Sequence, residues 1–234
     1  DCLLSRGLGD VYKRQLKRLG VERIDLFYLH RVSQATPIEE SMECLSRLVR
    51  EGKINHIGLC EVSAPTLRRA HAVHPLTALQ TEYSLWTRDI EDEILPALKE
   101  LGVGLVPYSP LGRGFLTGKY RKNSDFGEGD FRRNNERFIQ SSLDHNAQLL
   151  DAIEPLAEKY GCTTGQVALA WLLAQYDRLV PIPGTKHTSY LTENARAADI
   201  LLESSDIALL NDIHQRVEIR GGRYSEEGMK GVNA

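Results

Sequence analysis

The feature that most limits the folds open to this chain is a repeated alternation of short apolar runs with segments of helical periodicity. Apolar runs at Ile24–Leu29, Ile54–Leu59, Thr77–Thr81, Val103–Pro107 and Leu179–Ile182 are each too short for a helix and are predicted strands. Between them the spacing predicts helices from Thr36, from Ser63 to about His71, over Glu91–Leu101, Asn146–Tyr160 and Thr164–Gln175, and from Ser189. The first opens on Thr36-Pro37-Ile38-Glu39, which reads as N-cap, N1 and N3, and closes at Gly52 in a left-handed C′ position. Apart from one long excursion, strand starts recur roughly every 25 to 30 residues, the spacing of βα units in a barrel or a doubly wound sheet. The runs are apolar on both faces, as strands of a helix-covered parallel sheet are. About five units are present where a closed barrel needs about eight. The expected fold class is α/β, a (β/α)8 barrel left incomplete.

Composition narrows the function. With 234 residues, 41% hydrophobic and 26% charged, the chain has room for one sizeable core. A net charge of -3 leaves no basic footprint for nucleic acid, and no stretch approaches the roughly 18 apolar residues of a membrane span. Cys2, Cys44, Cys60 and Cys162 are scattered, with no Cys-x-x-Cys pair and no nearby His cluster, so no metal site is expected. They read as reduced thiols of a cytoplasmic protein. Residues 1–14 lack the parts of a signal peptide and fit no strand or capped helix. They are expected to be a non-homologous leader of artefactual origin, with the barrel occupying 15–234. The excursion, about Thr117 to His145, is rich in charge and Asn and carries Phe126, Phe131 and Phe138 as isolated apolar anchors. It reads equally as a lid and as a solvated insertion.

In parallel α/β folds chemistry gathers at the C-terminal strand ends. Here those ends are His30-Arg31, Cys60-Glu61-Val62-Ser63, Gln80-Thr81-Glu82, Tyr108-Ser109-Pro110-Leu111-Gly112 and Pro183-Gly184-Thr185-Lys186. His30 suits a proton relay or a donor that orients a carbonyl, and equally a satisfied core histidine. Gln80 and Glu82, one strand period apart, suit an amide edge or a polar barrel layer. Tyr108 offers a face for stacking on a heteroaromatic ring, as a core tyrosine would. Gly184-Thr185-Lys186 precedes a helix start, where anions bind, although an ordinary βα turn looks the same. Gly112-Arg113-Gly114 with Gly118 misses the third glycine of a dinucleotide fingerprint by one position, and P-loop, HExxH and GxSxG signatures are absent.

Taken together, GVERIDLFYLHR, IGLCEVSAPTLRRAHAVHPLTALQTEYSLWTRD, LVPYSPLGRGFLTGKY and VPIPGTKHTSYLTEN resemble the aldo-keto reductase family, close to its pyridoxal-reductase-like or auxin-induced-protein-like branch. The resemblance covers about Gln15 to Ala234 and implies an N-terminally truncated (α/β)8 barrel that binds NADPH and reduces aldehydes or ketones. The family's tetrad is Asp, Tyr, Lys and His. Only the His has a counterpart, His30, because Asp10, Tyr12 and Lys13 lie too close together to stand for the other three. The resemblance places Cys60, Glu61 and Gln80 at the nicotinamide carboxamide, Cys60 standing where Ser is usual. It stacks Tyr108 on the nicotinamide and lines the pyrophosphate with Ser109, Leu111, Gly112 and Gly114. It turns Gly184, Thr185, Lys186, Tyr190, Glu193 and Asn194 toward the 2′-phosphate and adenine, with Lys186 favouring NADP over NAD.

Two functions of different class follow from the resemblance: an NADPH-dependent carbonyl reductase acting on a small-molecule carbonyl, inactive as this chain alone, and an NADPH-binding regulatory or redox-sensing barrel subunit. The second reading follows the family's regulatory subunits of potassium channels, and the reductase ranks first because nothing here resembles a channel-docking surface. A phosphate-binding lyase or aldolase lacks a Schiff-base Lys at a strand end. Unpaired strand edges predict aggregation and little soluble monomer. Substrate identity and oligomeric state are not legible.

Overall fold

The computed structural model describes residues 12–33, 35–229 and 231–232, with the side chains of 226 and 227 excepted. The chain opens with helical residues 12–19 (α1) and continues as β1 (Ile24–Leu29), α2 (Ile38–Arg50), β2 (Ile54–Cys60), α3 (Ala64–Val73), β3 (Ala78–Glu82), α4 (Ile94–Leu101) and β4 (Gly104–Tyr108). Residues 12–14, expected to belong to no element, are therefore helical; the rest of the expected leader lies outside the described residues. The described residues divide into two compact units. The first runs to Thr81 and includes Glu91–Leu105; the second holds Glu82–Ile90 and the chain from Val106 to Met229.

In the first unit the strands follow chain order, β1-β2-β3-β4, with β1/β2 and β2/β3 parallel. Register pairs Leu29 with Leu59 and Cys60 with Gln80. The helices form because their apolar residues recur on one face: α2 buries Ile38, Met42, Leu45 and Leu48. With Ile54, Ile57, Leu67, Leu79 and Leu98, all almost wholly buried, these make the core, each such side chain contributing about 1.5–3 kcal/mol.

The helix ends explain most boundaries. At α2, Pro37 rather than Thr36 holds the N-cap and no side chain caps the helix. Glu39 and Glu40 in the first turn supply the negative charge that a helix start favours. Its other end closes as expected: Gly52 sits at φ 69, its N–H donates to Val49 O at 2.9 Å, and Lys53 N–H donates to Leu48 O at 3.0 Å. At α3 the Ser63 hydroxyl accepts from Thr66 N–H, and at α4 Gly102 (φ 66) ends the helix.

The second unit is helical: α5 (Gln140–Tyr160), α6 (Thr164–Leu173), α7 (Thr188–Arg196), α8 (Ser204–Asn211), α9 (Ile213–Arg216) and α10 (Glu226–Met229). Helix α5 starts six residues before the expected Asn146, because Ser142, Leu143 and Asn146 already face the interior. Up to Phe138 the excursion carries short 3-10 turns, and its last residues belong to α5. Phe126 and Phe138 anchor it by burial, whereas Phe131 is 60% exposed and does not.

The predicted strand Leu179–Ile182 is the main correction. Only Leu179 has bridge geometry, and Ile182 N–H donates to Pro107 O at 3.0 Å. Among the described residues four strands form the sheet, not five, and it is not closed into a barrel.

Replacing Gly52 by Ala should cost about 1 kcal/mol, since a Cβ there meets no neighbour but must sit in the left-handed region. A lower urea midpoint with unchanged slope is the expected result; no shift would show that the left-handed turn is not what ends α2.

Candidate functional site

In the first unit the polar residues predicted from the strand ends form a row. His30 follows β1, Cys60 ends β2, and Gln80 is Cys60's register partner on β3. The chain leaves β2 through Glu61, whose φ of 54 is unusual for a residue with a side chain. Its N–H donates to Gln80 O at 3.0 Å, which fixes that turn beside the neighbouring strand. His30 is exposed, so it is not a core histidine. Gln80 is half-buried.

Cys60 is buried, and Arg31, half-buried, donates to its Sγ at 3.5 Å. Burial pushes the Cys60 thiol up, and the Arg31 cation pulls it partly back. The group is therefore a neutral thiol at pH 7, and a thiol is a weaker hydrogen-bond donor than a hydroxyl. Arg31 was not predicted as a partner, though it follows His30 directly.

In the second unit Tyr108 ends β4, and the loop after it carries Ser109, Leu111, Gly112 and Gly114. Ser109 (φ 49), Gly112 (φ 56), Arg113 (φ 55) and Gly114 (φ 95) are all left-handed. A Cβ on Gly112 would lie 2.7 Å from the Trp86 ring, and one on Gly114 would lie 2.8 Å from Tyr120. Trp86 stacks on Phe115 at 4.2 Å and meets Phe138 edge-on, so the loop rests on an aromatic floor. The Tyr108 hydroxyl lies 3.0 Å from that of Tyr224.

Glu82 is engaged by side chains of the second unit. Its carboxylate, 2% exposed, accepts from Arg113 Nη2 at 3.0 Å and from Thr87 Oγ1 at 3.1 Å. Arg137 Nη1 donates to Thr87 Oγ1 at 2.6 Å. Burial pulls the Arg137 guanidinium pKa down, opposed by the charges of Glu82 and Asp89. The sequence pattern did not show this network, since its members lie far apart in the chain.

Residues 217–224, also unforeseen, form a strap on the excursion. Arg137 Nε donates to Gly221 O at 3.0 Å, and Asn146 exchanges hydrogen bonds with the backbone of Arg220 at 3.0 and 2.9 Å. Gly221 (φ 90) is required there, since a Cβ would lie 2.6 Å from Arg137 N. With Arg132 donating to Arg113 O at 2.8 Å, the excursion is packed against the loop rather than solvated throughout.

Gly184, Thr185, Lys186 and Tyr190 are exposed, and a Cβ on Gly184 would meet nothing within 4 Å. Thr185 Oγ1 accepts from His187 N–H at 3.1 Å just before α7. Lys119 Nζ stands 5.8 Å from the Tyr190 ring. Glu193 and Asn194, half-buried, lie three and four residues on; Glu193 accepts from Thr163 Oγ1 at 3.0 Å. An exposed cation, an open glycine and a helix start are a donor set that fits a phosphate. Among the described residues no group of His, Cys, Asp and Glu could hold a metal, and no helix is long and apolar enough to cross a membrane.

The family model described as "Aldo/keto reductase family" matches residues 6–215. Aldo-keto reductase str7 of Strobilurus tenacellus is 48% identical over 233 residues, covering 95% of this chain and 68% of its own length. Probable aldo-keto reductase 1 of Glycine max is 48% identical over 209 residues, covering 89% and 60%. Among solved structures, the glycerol dehydrogenase AKR11B4 from Gluconobacter oxydans superposes with a TM-score of 0.85 at 28% identity, covering 92% of this chain and 65% of that one. The thermostable aldo-keto reductase Tm1743, solved with the inhibitor epalrestat, gives 0.71 at 28%, covering 88% and 65%. The chain thus spans about two thirds of the length of these relatives.

The Cys60 assignment is testable by alkylation. Cys60 should react slowly at neutral pH, and Arg31→Met should move the midpoint of its rate–pH curve upward, because the cation that favours the thiolate is gone. Peptide-resolved mass spectrometry of iodoacetamide labelling reads this; an unchanged midpoint would mean that Arg31 does not act on the thiol.

Proposed function

Because the chain belongs to the aldo/keto reductase family, whose (β/α)8 members reduce carbonyls, we propose that it carries the NADPH-binding part of a carbonyl reductase and does not turn over by itself. The observation that carries the reading is the alignment of family-matched polar residues at the C-terminal ends of parallel strands, where Cys60 and Gln80 are register partners.

In the first unit, Cys60, Glu61 and Gln80 hold the carboxamide, with the thiol making one weak contact. In the second, Tyr108 supplies the stacking ring. Ser109, Leu111, Gly112 and Gly114 line the pyrophosphate. Gly184, Thr185, Lys186, Tyr190, Glu193 and Asn194 take the adenosine end, and the Lys186 ammonium pairs with the 2′-phosphate. When bound, the cofactor supplies the hydride. His30, exposed after β1, can donate a ring N–H to a carbonyl oxygen and so orient a small-molecule substrate. Proton donation belongs to the family's Tyr, tuned by its Asp and Lys, and none of these has a counterpart in residues 15–234. The packed excursion supports the lid reading of residues 117–145, and a cytoplasmic location fits the reduced cysteines.

The chain alone should yield little soluble monomer. The soluble fraction should bind NADPH, seen as quenching of tryptophan fluorescence, without oxidising it in the presence of a nitrobenzaldehyde. Robust turnover would overturn the assignment of catalysis to residues outside this chain. If turnover stayed absent in a chain extended by the family's Asp, Tyr and Lys, the regulatory-subunit reading would take its place.

Lys186→Met should weaken NADPH about tenfold while leaving NADH nearly unchanged, since one charge-assisted contact is lost. Equal loss for both nucleotides would remove Lys186 from the 2′-phosphate.

A further inference from the structure

A non-glycine residue in the left-handed region costs about 1–2 kcal/mol, so Arg113, at φ 55 between two left-handed glycines, has to be held there. Its side chain shows how. Arg113 Nη2 donates to Glu82 Oε2 at 3.0 Å, and Nη1 donates to the Arg223 carbonyl at 2.6 Å. The Tyr224 ring stands 4.6 Å from the guanidinium carbon. The guanidinium is 9% exposed and the carboxylate 2%, so this is an interior contact rather than a surface ion pair. Interior pairs hold one geometry, because separating them leaves a buried charge without its partner. Glu82 is itself oriented by the Thr87 hydroxyl, which in turn accepts from Arg137.

We infer that Glu82 is a positioning residue for the phosphate-binding loop, acting through Arg113 to hold the turn Gly112-Arg113-Gly114 in the shape that accepts a pyrophosphate. The inference rests on the reading that this loop takes the cofactor's pyrophosphate. It assigns Arg113 to a structural partner and the loop backbone to the ligand.

A plain charge argument makes the opposite prediction. Arg113, Arg137 and Arg223 all act electrostatically in this cluster, and Glu82 and Asp89 offset them. If their summed charge were what attracts an anion, Glu82→Gln would tighten NADPH binding and Arg113→Lys, which keeps the charge, would leave it unchanged. Positioning predicts weaker binding in both, because neither a neutral amide nor a single ammonium reproduces the two-pronged contact.

The experiment measures dissociation constants of the soluble whole chain and the two variants for NADPH and, separately, for adenosine 2′-monophosphate, which lacks the pyrophosphate. The expected result is an NADPH constant about tenfold higher in both variants, with the adenosine 2′-monophosphate constant unchanged. Tighter NADPH binding by Glu82→Gln, or unchanged binding by both variants, overturns the inference while leaving the cofactor reading intact. Parallel loss of both ligands in both variants also overturns it, because a general structural role would act that way. If Glu82→Gln does not fold, Arg113→Lys decides by the same two constants. If the unaltered chain binds adenosine 2′-monophosphate but not NADPH, or binds neither, the cofactor reading falls and the inference with it.

Discussion

Parallel pairing is the constraint from which the first unit follows. Parallel strands cannot be joined by a tight hairpin, so each return requires a crossover, and here helices α2 and α3 fill that role. Each crossover helix must bury an apolar face, which fixes the periodicity of its sequence. Each strand is covered, so its run is apolar. The polar residues are thereby confined to the ends, and register sets them side by side. Cys60 and Gln80 are adjacent because the backbone ladder pairs them, and the Glu61 N–H bond to Gln80 O continues that pairing one residue further.

The second unit obeys a different rule. Its loop after β4 carries four left-handed residues, two of which have side chains, and that geometry has to be stabilised from outside the loop. The aromatic floor of Trp86, Phe115 and Phe138 supports it from one side. The Glu82 and Arg113 pair supports it from another. Burying such a pair costs several kcal/mol of desolvation for each ion, so its worth lies in fixing one arrangement rather than in net stability. The Tyr224 ring, the Arg223 carbonyl and the strap bonded to Arg137 make the same arrangement depend on residues a hundred positions away.

This difference explains what the sequence revealed. Strands β1 to β4, the Ser63 cap and the Gly52 and Gly102 stops are local events, written in residues a few positions apart. The row of strand-end residues was legible for the same reason, because parallel topology converts a sequence position into a spatial one. The Glu82 network was not, since Glu82, Arg113, Arg137 and Arg223 are each unremarkable alone and meet only through tertiary packing. Thr36 reads as the N-cap because a proline at the following position suits N1, whereas the structure puts Pro37 itself at the N-cap, and propensity does not choose between neighbours. The start of α5 was placed too late because Ser142 and Asn146 are polar residues turned inward, Asn146 toward the Arg220 backbone.

The segment Leu179–Ile182 shows the limit of reading a strand from its composition. Its apolar run has the makings of a strand covered on both faces, yet Val180 is 63% exposed and Ile182 44%. A strand is a property of a pair, and β propensity measures fit to a half-buried pleated surface more than a preference of the isolated backbone. Here Leu179 has bridge geometry and Ile182 N–H donates to Pro107 O, and among the described residues the segment forms no longer ladder. The sequence states what the segment is suited to pair with, and the structure states what pairing the described residues provide.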